Sequence, residues 1–82
     1  MARQLGIRSG EGVVVAAVEM GSPADASGIQ PGDVIREVNR QRVRALADFE
    51  AATRGLKPGD RVTLLLQRGG SALFVAFTVG QG

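Results

Sequence analysis

The hydroxyls that could act as nucleophiles, Ser9, Ser22, Ser27 and Ser71, stand in a chain with no histidine to take their protons. Cysteine is absent as well, which removes thiol nucleophiles, disulfide staples and the usual zinc sets together. Among the acids, Asp33 and Asp60 each follow a glycine at a turn, and Glu11, Glu19 and Glu37 are scattered. No two carboxylates fall at a spacing that forces them into a dyad. Gly10-Glu11-Gly12 looks like half a dinucleotide loop, but it leads into a strand rather than a helix. No catalytic set, metal site or cofactor site is expected. What is left is backbone chemistry. In Leu5-Gly6-Ile7 a glycine sits between two apolar residues, which lets another backbone come close and leaves strand amides uncovered.

The elements that must position this triplet can be read from the pattern. Leu5-Gly6-Ile7 predicts a strand of three or four residues, followed by a turn cluster at Ser9-Gly10-Glu11-Gly12. Val13 to Val18 is apolar at every position and rich in β-branched valine, the mark of a central strand buried on both faces. Ser22 is a natural N-cap with Pro23 at the first helical position, predicting a short helix from Pro23 to Ser27 that Gly28 stops. Pro31-Gly32 is a turn, and Asp33 is placed to cap it by accepting a backbone amide. The strand Val34–Asn39 breaks strict alternation, with Ile35 and Val38 inward. Asn39-Arg40-Gln41-Arg42 makes the next turn, and Val43 begins a short partner strand.

The one substantial helix is predicted over Leu46–Leu56. Phe49, Ala52 and Leu56 form its core-facing stripe, with Asp48 in the first turn and Arg54 in the last. Leu46, Glu50 and Thr53 share the adjacent face. Val62–Gln67, a hairpin turn at Arg68-Gly69-Gly70-Ser71 and Leu73–Val79 complete the order, with Leu73, Val75, Phe77 and Val79 inward and Gly80-Gln81-Gly82 frayed. Five or six short strands and two helices suit an α+β, mainly β fold: a partly open antiparallel barrel whose ends the helices cover.

Composition sets the bounds. Eighty-two residues make one domain, and 44% apolar content supports a folded core and argues against disorder. Stability is expected at roughly 4–8 kcal/mol. With no Trp or Tyr, the chain is nearly invisible at 280 nm. Net charge is +2, and the clustered Arg36, Arg40, Arg42 and Arg44 read as one solvated face. No aromatic interleaving accompanies them, which argues against nucleic-acid binding. The longest apolar run, Val13 to Val18, is far short of a bilayer span, and no signal peptide is visible. Nor is there an internal repeat or linker. A start at Met1-Ala2-Arg3 directly before a motif is expected of a piece cut from a longer protein.

The run from Gly21-Ser22-Pro23-Ala24 through Ala26-Ser27-Gly28-Ile29 and Pro31-Gly32-Asp33-Val34-Ile35 to Val38-Asn39 resembles the PDZ domains of bacterial HtrA/Deg-type serine proteases. The likeness extends over nearly all of the chain. It implies a peptide-binding module, residues 1–82 being a single PDZ domain, without a catalytic role of its own. The parent implied is a trypsin-like periplasmic endopeptidase of protein quality control. The short loop between Ile7 and Gly12, and an end just after the last strand, are similar to the family's second, C-terminal PDZ domain.

Carried over by position, Gln4-Leu5-Gly6-Ile7 is the family's carboxylate-binding element. Its amides cradle a peptide's terminal carboxylate, while the residues through Arg8 pair with the peptide as an added strand. Arg3, just ahead, would add positive potential. Leu46, Glu50 and Thr53 then line the opposite wall, Leu46 near the third-from-last side chain and Thr53 near the last. Thr53 departs from the commoner apolar residue there, and Glu50 adds a carboxylate. Together they imply small or medium apolar peptide ends, with a basic or polar residue upstream. Expected partners are C-terminal peptides or unfolded segments, and neighbouring protease and PDZ domains of the parent oligomer. Two alternatives stay open: an assembly element with little peptide binding, and the PDZ domain of a site-2 or C-terminal processing protease.

Overall fold

The computed structural model describes residues 4–80, so the expectations for Arg3 and for the frayed Gln81 and Gly82 fall outside the described residues. The chain runs β1 (Leu5–Gly10), β2 (Gly12–Val18), α1 (Pro23–Ala26), β3 (Val34–Val38), β4 (Gln41–Arg42), α2 (Leu46–Thr53), β5 (Arg61–Arg68) and β6 (Ser71–Thr78). All strand pairs are antiparallel, in the order β1-β2-β3-β5-β6 with β4 attached to β3. The mainly β fold therefore matches the expectation, and the sheet is open, with β1 and β6 as its edges.

Several boundaries differ from the pattern reading. β1 is six residues long, because the chain reverses around Glu11 alone, with Gly10 opposite Gly12 and Gly12 at φ +102°. β2 is buried on both faces only at Val13–Val15; Ala16 and Ala17 are exposed. The reason is pairing: β3 runs beside β2 at Val13 and Val14, the Gly32–Asp33 backbone bonds Val15 on the same side, and from Ala16 onward β2 pairs with β1 alone. The short partner strand is Gln41–Arg42, one step before Val43, because Asn39 (φ +49°) and Arg40 (φ +71°) close a two-residue hairpin turn. α2 ends at Thr53 rather than Leu56. Gly55 disfavours another turn, and Arg54 becomes the C-cap instead of a last-turn cation. Leu56 still packs against the core.

Other local expectations hold in detail. Ser22 Oγ accepts from the Asp25 amide at 3.1 Å and caps α1. Gly32 at φ +96° and the 3.2 Å bond from Asp33 N to Gln30 O make the Pro31-Gly32 turn type II. Asp33 Oδ2 caps it by accepting from the Gln30 amide at 2.9 Å. Ile35 and Val38 are fully buried, three residues apart on one face, because the β3–β5 register shifts between Ile35 and Glu37. On β6, Val75, Phe77 and the following Val79 are buried, whereas Phe74 faces solvent.

The core gathers Leu5, Val13, Val15, Ile35, Val38, Phe49, Val62, Leu64, Leu66 and Phe77 between the inner sheet face and the two helices. One polar link crosses beneath it. The Arg68 guanidinium donates to both carboxylate oxygens of buried Asp33 (2.8 and 2.7 Å) and to Gly28 O (2.9 Å). It ties the end of β5 to the loop that leaves α1. Sequence reading gave Asp33 its turn and missed this partner, which lies 35 residues downstream.

Candidate functional site

β1 pairs on one side only, with β2, and α2 packs against β1, β2 and β3. Strand edge and helix bound an open cleft of about 340 Å³, lined by Leu5, Gly6, Ile7, Leu46, Phe49, Glu50 and Thr53. Of the eight residues singled out from the sequence, Leu5, Gly6, Ile7, Leu46, Glu50 and Thr53 meet in this cleft.

Gln4 and Arg8 do not line it. The Gln4 side chain is buried and turned to α1, where its Oε1 accepts from the Ala24 amide at 3.1 Å. Its backbone carbonyl accepts from Glu19 N at 2.7 Å, which anchors the entry to β1. Arg8 is exposed further along the strand. Phe49, which the helical stripe assigns to the core, is both buried and a wall of the cleft. Its neighbours at Leu46, Glu50 and Thr53 were the signal that could have marked it.

Gly6 is needed for closeness. A Cβ built on it would lie 3.3 Å from the Ala17 Cβ and 3.5 Å from the Ala17 amide nitrogen, across the β1–β2 ladder. Directly after it the register slips: Gly6 faces Ala17, Ile7 faces Val15, and Ala16 is left over as a bulge. A bulge re-aims the strand locally, and here it sits where β1 meets the helix.

The helix wall is built by α2's own capping. Asp48 Oδ2 accepts from the Arg44 and Ala45 amides at 2.9 and 3.1 Å, which starts the helix at Leu46 and sets the phase of its faces. Those two amides hold the Asp48 carboxyl below its usual range. Thr53 Oγ1 donates to Phe49 O at 2.9 Å, so its hydroxyl is occupied within the helix. Its polarity therefore costs the cleft less than residue type suggests. Glu50 is exposed and is the one charged residue on the lining. The cleft thus offers one unpaired backbone edge, an apolar floor and a single carboxylate at its rim.

Comparison with known proteins agrees with this layout. Residues 3–79 match the model of the PDZ domain. A relative in Chlamydia trachomatis, named "Probable periplasmic serine endoprotease DegP-like", is 39% identical over 64 residues, which are 78% of this chain and 13% of that protein. The chain therefore spans a small part of such relatives. Among solved structures, the HtrA-type protease AlgW with a decapeptide is 29% identical with a TM-score of 0.77, covering 96% of this chain and 24% of that one. The HtrA3 PDZ domain bound to a phage-derived ligand (FGRWV) is 27% identical with a TM-score of 0.69, covering 87% of this chain and 65% of that one. A family match over nearly the whole length, on a fold whose edge strand and longer helix frame an open cleft, means that this chain belongs to the PDZ domain family.

Proposed function

We propose that the cleft between β1 and α2 receives the end of a polypeptide as an added β-strand. The observation that carries this is the unpaired edge of β1 beside an apolar cleft. Strand addition supplies main-chain hydrogen bonds, and pockets along the strand supply selectivity. The peptide pairs along Leu5-Gly6-Ile7-Arg8, and its carboxylate meets the backbone amides from Leu5 to Ile7. Its last side chain enters between Leu5, Ile7 and Thr53; Leu46 and Glu50 meet residues upstream. A few net hydrogen bonds at about 0.5–1.5 kcal/mol each, with one buried side chain at about 1.5–3, must outweigh the cost of association. The surplus corresponds to an affinity on the order of micromolar or weaker.

The bound peptides in the AlgW and HtrA3 structures support the same use here. The names of the relatives support a setting in a DegP-like serine endoprotease of the periplasm. There this non-catalytic domain recognises C-terminal or extended apolar segments of substrate proteins, next to the parent's protease domain and any further PDZ domain.

The test is a titration of the isotope-labelled domain with a valine-ended pentapeptide, as free acid and as C-terminal amide. The free acid shifts amides in Leu5–Arg8 and in α2, and amidation weakens binding about tenfold or more. Shifts confined to other elements, or equal binding of the two forms, would overturn the reading.

A further inference from the structure

Across the sheet from the core, a second surface is built by register. Arg42 of β4 lies opposite Glu37 of β3, Glu37 opposite Leu65 of β5, and Leu65 opposite Phe74 of β6, one continuous row over four strands. Phe74 is 68% exposed, although the chain's other two phenylalanines, Phe49 and Phe77, are buried. The small residues Ala72 and Ala76 flank Phe74 on the same strand face, so the ring stands clear. Two adjoining depressions of about 400 and 460 Å³ share Glu37 and Leu65; Phe74 and Arg40 line the first, and Arg36, Arg42 and Arg44 the second.

The charge around this strip is predominantly positive, with Glu37 inside it and Asp48 close enough to Arg44 for the two charges to interact. Among the described residues the one ion pair is Arg68 with Asp33, so none of these four arginines is neutralised by contact. Arg36 donates twice to Gln67 Oε1, at 2.9 and 2.6 Å, which orients the guanidinium without cancelling its charge. Against four guanidiniums the face presents one carboxylate, Glu37. An exposed aromatic beside Leu65, on a mixed face where four guanidiniums outnumber one carboxylate, is the complement of an acidic segment that carries a bulky apolar side chain.

We propose that the outer face of β3, β4, β5 and β6 docks such an acidic, apolar-tipped segment of a partner protein, independently of the β1–α2 cleft. The two sites share no lining residue. The occupant is polypeptide rather than nucleic acid, because one lone aromatic offers no stacking platform along a strand.

The probe is an octapeptide of alternating glutamate and leucine, acetylated and amidated so that it carries no terminal carboxylate. Titrated into the labelled 82-residue chain, it shifts the amides of Glu37, Thr63, Leu65 and Phe74 and leaves Leu5–Ile7 unmoved. Phe74→Ser and Arg42→Glu each weaken binding about tenfold or more with an unchanged melting temperature. Raising salt from about 50 to 500 mM weakens it further. Arg42→Glu, at an exposed hairpin end, decides the matter if Phe74→Ser fails to fold. The proposal is overturned if the shifts fall in the β1–α2 cleft, or if a lysine–leucine octapeptide binds equally well. Binding of a DNA duplex or phosphatidylglycerol vesicles without the acidic peptide would overturn it too.

Discussion

Gly6 and Asp33 carry consequences out of proportion to their size. A methyl on Gly6 would press on Ala17 at 3.3 Å, where the neighbouring atom is a stiff Cβ on a paired strand. Gly6→Ala should therefore cost about 1 kcal/mol and push β1 out of line, weakening the binding of free-acid peptides. Ala17→Gly on that background should restore both, a coupling that a double-mutant cycle with thermal melts and peptide titration reads directly. At Asp33 the Arg68 fork holds the carboxyl below its ordinary value of 3.8; burial opposes this, and the Gln30 amide adds to it. A carboxyl with a lowered folded pKa contributes stability that is complete above the unfolded value. That stability is lost as pH falls through the folded one. Asp33→Asn should accordingly destabilise by about 1–2 kcal/mol at pH 6 and flatten the loss of stability below pH 4. The low end applies because the Arg68 side chain is 38% exposed and water screens the pair. Denaturant midpoints measured across that pH range check both parts.

At the scale of elements, the two helices stand for different reasons. α1 is four residues long and cannot hold itself; Ser22, the Gln4 side chain and the buried Ala24 fasten it. Ser22→Ala should cost about 1 kcal/mol, read as a lower melting temperature with peptide binding retained. α2 is the wall of the proposed site. With the Thr53 hydroxyl bonded to Phe49 O, Thr53→Val keeps the shape and removes a group the cleft does not use. Valine-ended peptides should bind the variant within about twofold of the parent, because the new methyl takes the place of a hydroxyl turned to the Phe49 carbonyl. A loss of affinity would mean that the hydroxyl, rather than its methyl, faces the ligand.

At the scale of the molecule, β2, β3 and β5 are paired on both sides and carry the fully buried Val13, Ile35, Val38, Val62, Leu64 and Leu66. β1 is held on one side. In hydrogen exchange, amides of the three inner strands should be slowest, while every second amide of β1 exchanges quickly in the free chain. Saturating free-acid peptide should protect those β1 amides and leave the β6 edge unchanged. Protection spread evenly over both edges would instead indicate general stiffening.

The chain's own residues were enough to determine the elements and their inward faces wherever local chemistry rules. The Ser22-Pro23 cap, the Pro31-Gly32 turn, the Gly69-Gly70 hairpin and the alternation of β6 each depend on neighbours a few positions away. The same holds for the absence of a histidine-assisted nucleophile, which is a matter of inventory. Six of the eight candidate residues singled out from the sequence also meet in one cleft, because glycine between apolar residues and a helical i, i+4, i+7 face are local patterns. Tertiary structure decided the rest. Only pairing partners could set the six-residue length of β1, the bulge at Ala16 and the half-exposure of β2. Only folding could turn Gln4 away from the cleft to hold α1, or bring Arg68 to Asp33 across 35 residues. Likewise, no local rule aligns Arg42, Glu37, Leu65 and Phe74 across four strands. The physical reason is the same in each case: periodicity tells a residue which way to face, and the register of distant strands decides what it meets there.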